Sequence, residues 1–274
     1  MGPLPPGPRS AARRAPGPPP PYVVASAEHR ALARLVAHRS SVLLRNQAVD
    51  GAPLLPFDAA QLSSVAVVGR LADAANQGDE ASSKVRPPEV STLLGGLREA
   101  LGTERVVHAV DGPDAIAAAS AADAAVVVVG LGHGEEGEFL MANTPATMKM
   151  LGFPLTIDWV AKQAAKRMTD PDADGGDRVD LHLQPGDVEL IRSVAAVNRR
   201  TVVVLIGGGG LMIEDWHDEV PGILLAWYPG MEGGRAVADL LFGAAEPGGR
   251  LSFALPARDA DLPAFDPHRE VADA

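Results

Sequence analysis

The chain has 274 residues, 46% of them hydrophobic, no cysteine and a formal net charge of -11. This length and composition suffice for a substantial core. The missing cysteines exclude disulfides and thiolate metal sites, and the acidic charge disfavours a nucleic-acid partner, because phosphate binding depends on clustered Lys and Arg. No signal-peptide core and no run of membrane-spanning length is visible. We therefore expect a soluble protein without membrane contacts; the compartment stays open, with the cytoplasm favoured.

The amino-terminal end is rich in proline. Residues 1–21 contain nine prolines and three glycines, a composition that cannot bury apolar area and that lacks many backbone donors. We predict that residues 1–25 are disordered. Apolar residues then recur at roughly helical spacing from Ser26, a good N-cap, to Arg45, which predicts one amphipathic helix ending near Asn46.

Strands and helices alternate from Val65 onward, and a domain spanning 26–267 with a tail at 268–274 is expected. The repeated alternation predicts an α/β fold, a doubly wound, mostly parallel six-stranded sheet with helices on both faces, that is, a three-layer sandwich. Predicted strands are 65–69, 105–110, 125–129, 201–206, 223–227 and a final edge strand at 249–255 that could be antiparallel; predicted helices are 93–101, 114–121, 188–197 and 234–242.

The strand over 125–129 is the centre of this pattern. Five successive apolar residues without alternation are typical of a strand covered on both faces. Glu135, Glu136 and Glu138 follow it within a glycine-rich loop, and open α/β sheets bind ligands beyond the carboxyl ends of their strands. A glutamate shielded from water can serve as a general acid or base. The alternative is a hydrated acidic loop without chemistry. Residues 140–177 have no clean period and are interpreted as an inserted flap.

A second candidate site lies in the long connection 70–89, since a loop of this length in a compact domain is often functional. It carries Asp79, Ser82, Ser83 and Lys84. The serines and the lysine could act as nucleophile and base, but no nucleophile-elbow pattern supports that role, and surface hydrogen bonding is the favoured interpretation.

Other chemistries have weaker support. His133 beside the glutamates lacks the ligand spacing of a hydrolytic zinc site, so no metal is expected. The run Gly207–Gly210 does not complete a dinucleotide pattern, so a tight turn is favoured over a nucleotide cradle and no cofactor is expected. Trp227 and Tyr228 could face a sugar or cap the core.

Together these stretches resemble the C-terminal α/β sandwich domain of glycoside hydrolase family 3, the β-glucosidase group. The resemblance rests on LARLVAHRSSVLLRN at 32–46, VAVVGRLAD at 65–73, VVVVGLGHGEEGEF at 126–139, GGDRVDLHLQPGDVELI at 175–191, and the stretches at 78–102 and 226–256. It implies that Glu136, in its Glu-Gly motif, is the acid/base residue, with Glu135 and Glu138 as alternatives. It also implies that Asp79, Ser82 and Ser83 line the cleft that binds substrate.

In that family a barrel domain supplies the nucleophilic aspartate. The resemblance therefore implies a retaining glycosidase acting on a β-linked glucoside or oligosaccharide, completed by a family 3 barrel domain in the same or a neighbouring chain. We expect the isolated chain to be inactive. The alternative is a noncatalytic carbohydrate- or protein-interaction module derived from such an enzyme.

Overall fold

The computed structural model describes residues 23–78, 85–136, 178 and 181–262. Within them, six strands form one sheet and helices cover both of its faces. The strands are β1 (Val42–Asn46), β2 (Ala48–Val49), β3 (Ala52–Pro53), β4 (Val65–Val68), β5 (Val106–Ala109), β6 (Ala124–Gly130), β7 (Thr201–Ile206) and β8 (Gly222–Leu225). The helices are α1 (Ala27–Ser40), α2 (Leu93–Leu101), α3 (Gly112–Ala121), α4 (His133–Glu136), α5 (Pro185–Val197) and α6 (Gly233–Leu241).

The main sheet has the order β1-β8-β7-β6-β4-β5. All neighbours pair in parallel except β1, which runs antiparallel to β8. A separate two-stranded ribbon joins β2 to β3. The predicted doubly wound, mostly parallel six-stranded sheet is therefore confirmed.

Strand β6 shows why the continuous apolar run forms a central strand. All seven of its residues are buried. Ala124, Val126 and Val128 join the core cluster on one face, and Ala125, Val127 and Val129 join the cluster on the other. Successive side chains of a strand point to opposite faces, so a strand between two helix layers needs apolar residues at every position.

The structure corrects two predictions at the edge of the sheet that β1 forms. The helix expected to reach Arg45 ends at Ser40, and Val42–Asn46 forms strand β1 instead. Three consecutive apolar residues, Val42, Leu43 and Leu44, cannot all share one helical face, whereas an edge strand can place them against β8 and both core clusters. The predicted number of six strands is correct, but the sixth strand is β1 and not the predicted strand at 249–255.

The second correction concerns residues 249–255, which form no strand. Strand β1 already occupies the edge beside β8. The 248–249 stretch instead binds the junction of α1 and β1, where the Gly248 amide donates to His38 O and the Gly249 amide to Ser41 O. The proline-rich residues 1–22, the stretch 140–177 that was predicted to be a flap, and the predicted tail at 268–274 lie outside the described residues.

Candidate active site

The acidic loop leaves the sheet at the carboxyl end of β6. Gly130 ends the strand, and the short helix α4 follows at once. The amides of Glu135 and Glu136 both donate to Gly132 O at 3.1 Å. These bonds fix both glutamates directly beyond the strand end, at the edge where parallel sheets bind ligands.

Glu136 reaches across the sheet edge to the loop that follows β7. Its Oε1 accepts a hydrogen bond from the Gly208 amide, and its Oε2 lies 3.2 Å from Arg178 Nε. The side chain of Glu136 is only 8% exposed. Arg178 in turn donates from Nη1 to Gly210 O at 2.8 Å. The carboxylate is thus held between a backbone donor and a guanidinium.

The glycines at 207–210 make this approach possible. A Cβ added at Gly208 would lie 3.2 Å from Glu136 Oε1 and 3.2 Å from the Tyr228 ring, and one at Gly209 would overlap the Arg178 guanidinium. The absence of Cβ atoms at Gly208 and Gly209 therefore leaves room for the side chains of Glu136 and Arg178. Its glycines are explained by these close approaches without any nucleotide phosphate.

Glu135 points the other way, toward the loop that follows β4. Its Oε1 lies 2.7 Å from Arg70 Nη1 and accepts from Gln184 Nε2 at 3.0 Å, while its Oε2 accepts from the Gly132 amide at 2.7 Å. Arg70 also donates to Gly130 O at 2.5 Å. The two adjacent glutamates therefore anchor the loop to opposite sides of β6.

Asp187, in the first turn of α5, completes this network. It is 6% exposed, and its Oδ2 lies 3.3 Å from both Arg70 Nη2 and the Gly130 amide. Burial raises the pKa of the Asp187 carboxyl above its ordinary value, while Arg70 and the Gly130 amide oppose that rise. A cavity of about 410 Å³ opens beside Arg70 and Asp187, between the N-termini of α3 and α5.

Sequence reasoning missed Arg70 and Asp187. Each had a local signal, since Arg70 directly follows the glycine that ends β4 and Asp187 follows a proline that begins a helix. Arg178 lies far along the chain from Glu136. Their ion pair shows that the fold brings these two side chains together.

Several predicted site residues lie outside the described part of the chain. These are Glu138 in the acidic loop and Asp79, Ser82, Ser83 and Lys84 in the second loop. The described portion of that second loop is well anchored, since Asn76 Nδ2 donates to Leu71 O at 2.9 Å.

The two aromatics after β8 are tied into the fold. Trp227 has a positive φ of 58° and donates from Nε1 to Ser40 O at 3.0 Å, and its ring meets Phe253 edge-on with centroids 6.2 Å apart. Tyr228 donates from its hydroxyl to Leu131 O at 3.3 Å. These contacts support the interpretation that the rings cap the core.

In the described ranges, no helix is long and apolar enough to cross a membrane. In the same ranges, no three His, Asp or Glu side chains are grouped as a metal site would need.

Comparison with known proteins places this architecture in a family. The model of the glycosyl hydrolase family 3 C-terminal domain matches residues 41–273. The chain therefore belongs to glycoside hydrolase family 3, and the part it represents is the C-terminal α/β domain.

Individual relatives agree with this assignment. A β-xylosidase of Formosa agariphila is 29% identical over 257 residues, which cover 86% of this chain and 29% of the relative. The β-glucosidase BoGH3A of Bacteroides ovatus is 28% identical over 255 residues, which cover 87% of this chain and 30% of that relative. The crystal structure of a Bifidobacterium adolescentis family 3 β-glucosidase superimposes with a TM-score of 0.55 at 26% identity, covering 79% of this chain and 27% of that one. The chain spans less than a third of the length of these curated relatives.

Proposed function

We propose that this chain is the part of a retaining glycosidase that supplies the acid/base carboxylate, with Glu136 as that residue. The observation that carries the proposal is the position of Glu136 beyond the carboxyl end of β6, joined there by Arg178 and the loop after β7. The substrate class is a β-linked glucoside or oligosaccharide. Named relatives include a β-xylosidase as well as a β-glucosidase, so a xyloside belongs to the same proposal.

Two half-reactions define what Glu136 would do. As an acid it would give a proton to the departing glycosidic oxygen, and as a base it would later take a proton from the incoming water. The form that accepts from Gly208 and pairs with Arg178 is the carboxylate, which is the form the second step requires. Proton donation in the first step requires the contact with Arg178 to be exchanged for one with the glycosidic oxygen.

The nucleophile would come from a family 3 barrel domain in the same or another chain. Double displacement needs two carboxyl groups about 5 to 5.5 Å apart, one on each side of the scissile bond. Glu135 and Glu136 instead point to opposite sides of β6, where Arg70 and Arg178 bind them. We therefore expect no useful hydrolysis of aryl glucosides by this chain alone.

The second candidate function is a noncatalytic carbohydrate- or protein-interaction module. The enclosure of Glu136, with 8% of its side chain exposed, favours it, because a carboxylate held by two partners can serve purely as a loop anchor. Association with a barrel that carries a nucleophilic aspartate would distinguish the two functions.

The decisive experiment measures hydrolysis by this chain together with such a barrel. Glu136→Ala should lower hydrolysis of a natural disaccharide by roughly 100- to 10,000-fold, because general acid catalysis is worth about that much. Activated aryl glycosides need little protonation and should be spared, and azide should rescue the second step. If Glu136 only anchors the loop, Glu136→Ala should instead lower the hydrolysis of both substrates to the same extent, and azide should not restore it.

Matched controls are the neighbouring carboxylates, Glu135→Ala and Glu138→Ala. Only one carboxylate can lie beside the scissile oxygen, so both variants should lose far less disaccharide activity. If one of these variants alone shows the leaving-group-dependent loss, the acid/base role belongs to that residue and not to Glu136.

A further inference from the structure

Helix α1 is folded with its polar side inward. A helix on the surface of a domain ordinarily buries its apolar stripe and exposes its charges. In α1 the one buried residue is Ala37. The larger apolar side chains of this helix face solvent instead, and this reversal needs a physical explanation.

Two arginines and a histidine hold the inner side of α1 against the domain by binding carboxylates. Arg30 Nε lies 2.7 Å from Glu232, a carboxylate that is 3% exposed. One turn further on, Arg34 binds Asp239 through two hydrogen bonds of 2.5 Å, and His38 Nε2 lies 2.8 Å from the same carboxylate. These three contacts fix the rotation of the helix about its axis, so its outer side is equally well defined.

The outer side carries an ordered apolar stripe. Leu32, Leu35 and Val36 are 57%, 47% and 56% exposed. Glu28 and Arg39, both exposed, stand at the two ends of the stripe. The positions 28, 32, 35 and 39 follow the four-three-four spacing of a helix-pairing seam, and Val36 flanks it.

We propose that this outer side of α1, the α1 seam, pairs with the α1 seam of a second copy of the chain, the two helices running antiparallel about a two-fold axis. In that arrangement Leu32 lies opposite the partner's Leu35, and Leu35 opposite the partner's Leu32. Glu28 then lies opposite the partner's Arg39, and Arg39 opposite the partner's Glu28. A single two-fold rotation thus pairs the leucines at the centre and the opposite charges at both ends, as a self-complementary interface requires.

Charge and size set the strength of this association. Each copy has a net charge of -11, so the two copies repel one another at low ionic strength, and the two Glu28–Arg39 pairs oppose that repulsion locally. A single helix face is smaller than the roughly 1,200 to 2,000 Å² buried in stable interfaces. The dimer should therefore be weak and in exchange with monomer. It does not depend on the proposed glycosidase function, since no residue of the acidic loop takes part.

Sedimentation velocity of the full chain, from about 5 to about 500 µM in physiological salt, tests the proposal. The mass should rise from 28.4 kDa toward twice that value. Leu35→Lys should raise the dissociation constant at least about tenfold. Glu28→Arg and Arg39→Glu should each weaken association because they place like charges in opposition, and the double variant should restore it.

Val197→Lys is the matched control, because Val197 is also exposed, at 41%, but ends α5 outside the seam. It should leave the dissociation constant unchanged, and circular dichroism should confirm that every variant is folded. A chain that stays monomeric at all concentrations overturns the proposal. A dimer that tolerates Leu35→Lys, or that disappears when residues 1–22 are removed, overturns it by assigning the contact to another segment. Failure of the double charge reversal to restore association overturns the antiparallel arrangement.

Discussion

Gly130→Ala tests whether the acidic loop leaves β6 as described. Gly130 pairs with Ile206 of β7 and has a φ of +135°, a conformation almost confined to glycine. A Cβ at this position would lie 1.9 Å from Ile206 O, whereas real Cβ atoms stay at least 3.0 Å from such an atom. Ile206 O also accepts the Leu131 amide at 2.9 Å, so moving it disturbs the hydrogen bond that begins the loop.

The expected cost follows from two contributions. Backbone strain at a non-glycine residue in this region is worth about 1 to 3 kcal/mol. Displacing a packed neighbour is worth roughly another 1 to 3 kcal/mol. Gly130→Ala should therefore lower the free energy of unfolding by about 2 to 6 kcal/mol, a large fraction of the 5 to 15 kcal/mol typical of a domain.

Equilibrium urea unfolding followed by far-UV circular dichroism measures this loss. Gly186→Ala is the control, since a Cβ there meets nothing within 4 Å, and its stability should stay within about 0.5 kcal/mol of the starting protein. Gly69→Ala at the end of β4, where the added atom would lie 2.1 Å from Val128 O, should behave like Gly130→Ala. If Gly130→Ala costs less than about 0.5 kcal/mol, the close approach of β6 and β7 is wrong.

Three carboxylates give further predictions. Asp239→Ala should cost about 1 to 3 kcal/mol and speed amide exchange in α1, because Arg34 and His38 lose their shared partner; unchanged exchange would contradict this. Asp123 accepts from the Ser63 and Ser64 amides, and these bonds lower its pKa, so its stabilising effect should be present above pH 4 and disappear at lower pH. Urea unfolding of Asp123→Ala at pH 7 and near pH 2 checks this, with a smaller deficit expected at low pH. Asp187→Asn should gain stability relative to the starting protein as the pH rises.

The sequence allowed the centre of the sheet and its β5 edge to be predicted, but not its β1 edge. Strands β6 and β7 could be predicted because burial on both faces imposes a continuous apolar run, which is a local signal. Strand β1 could not, because Val42 to Asn46 becomes a strand only through pairing with β8, far along the chain. The predicted helix was extended too far, into Val42, Leu43 and Leu44, three consecutive apolar residues that one helical face cannot hold.

The candidate site also has a part that could be predicted from the sequence and a part that could not. The place of Glu136 beyond the end of β6 follows from the strand itself, and the family resemblance selected this glutamate among three. Its role as acid/base residue stays a proposal. The partners of the acidic loop, Arg70, Arg178 and Asp187, come from three other segments. Arg70 and Asp187 each had a local signal in the sequence, but only the folded chain shows that these residues meet the acidic loop.

The pH dependence of Asp187→Asn decides which of two effects controls this buried carboxylate. Burial raises its pKa, and the neighbouring Arg70 lowers it. If burial prevails, the folded state holds a proton over a pH range in which the unfolded state has lost it, and the stability owed to Asp187 falls as the pH rises through the folded-state pKa. Asn cannot ionise, so the variant lacks this loss. The unfolding free energy of the starting protein minus that of Asp187→Asn should therefore become smaller between pH 3 and pH 7, or turn negative. Urea unfolding of both proteins at several pH values in this range measures that difference directly. A difference that grows with pH would show that the ion pair with Arg70 outweighs burial, and the carboxylate would then be a net stabiliser of the acidic loop at neutral pH.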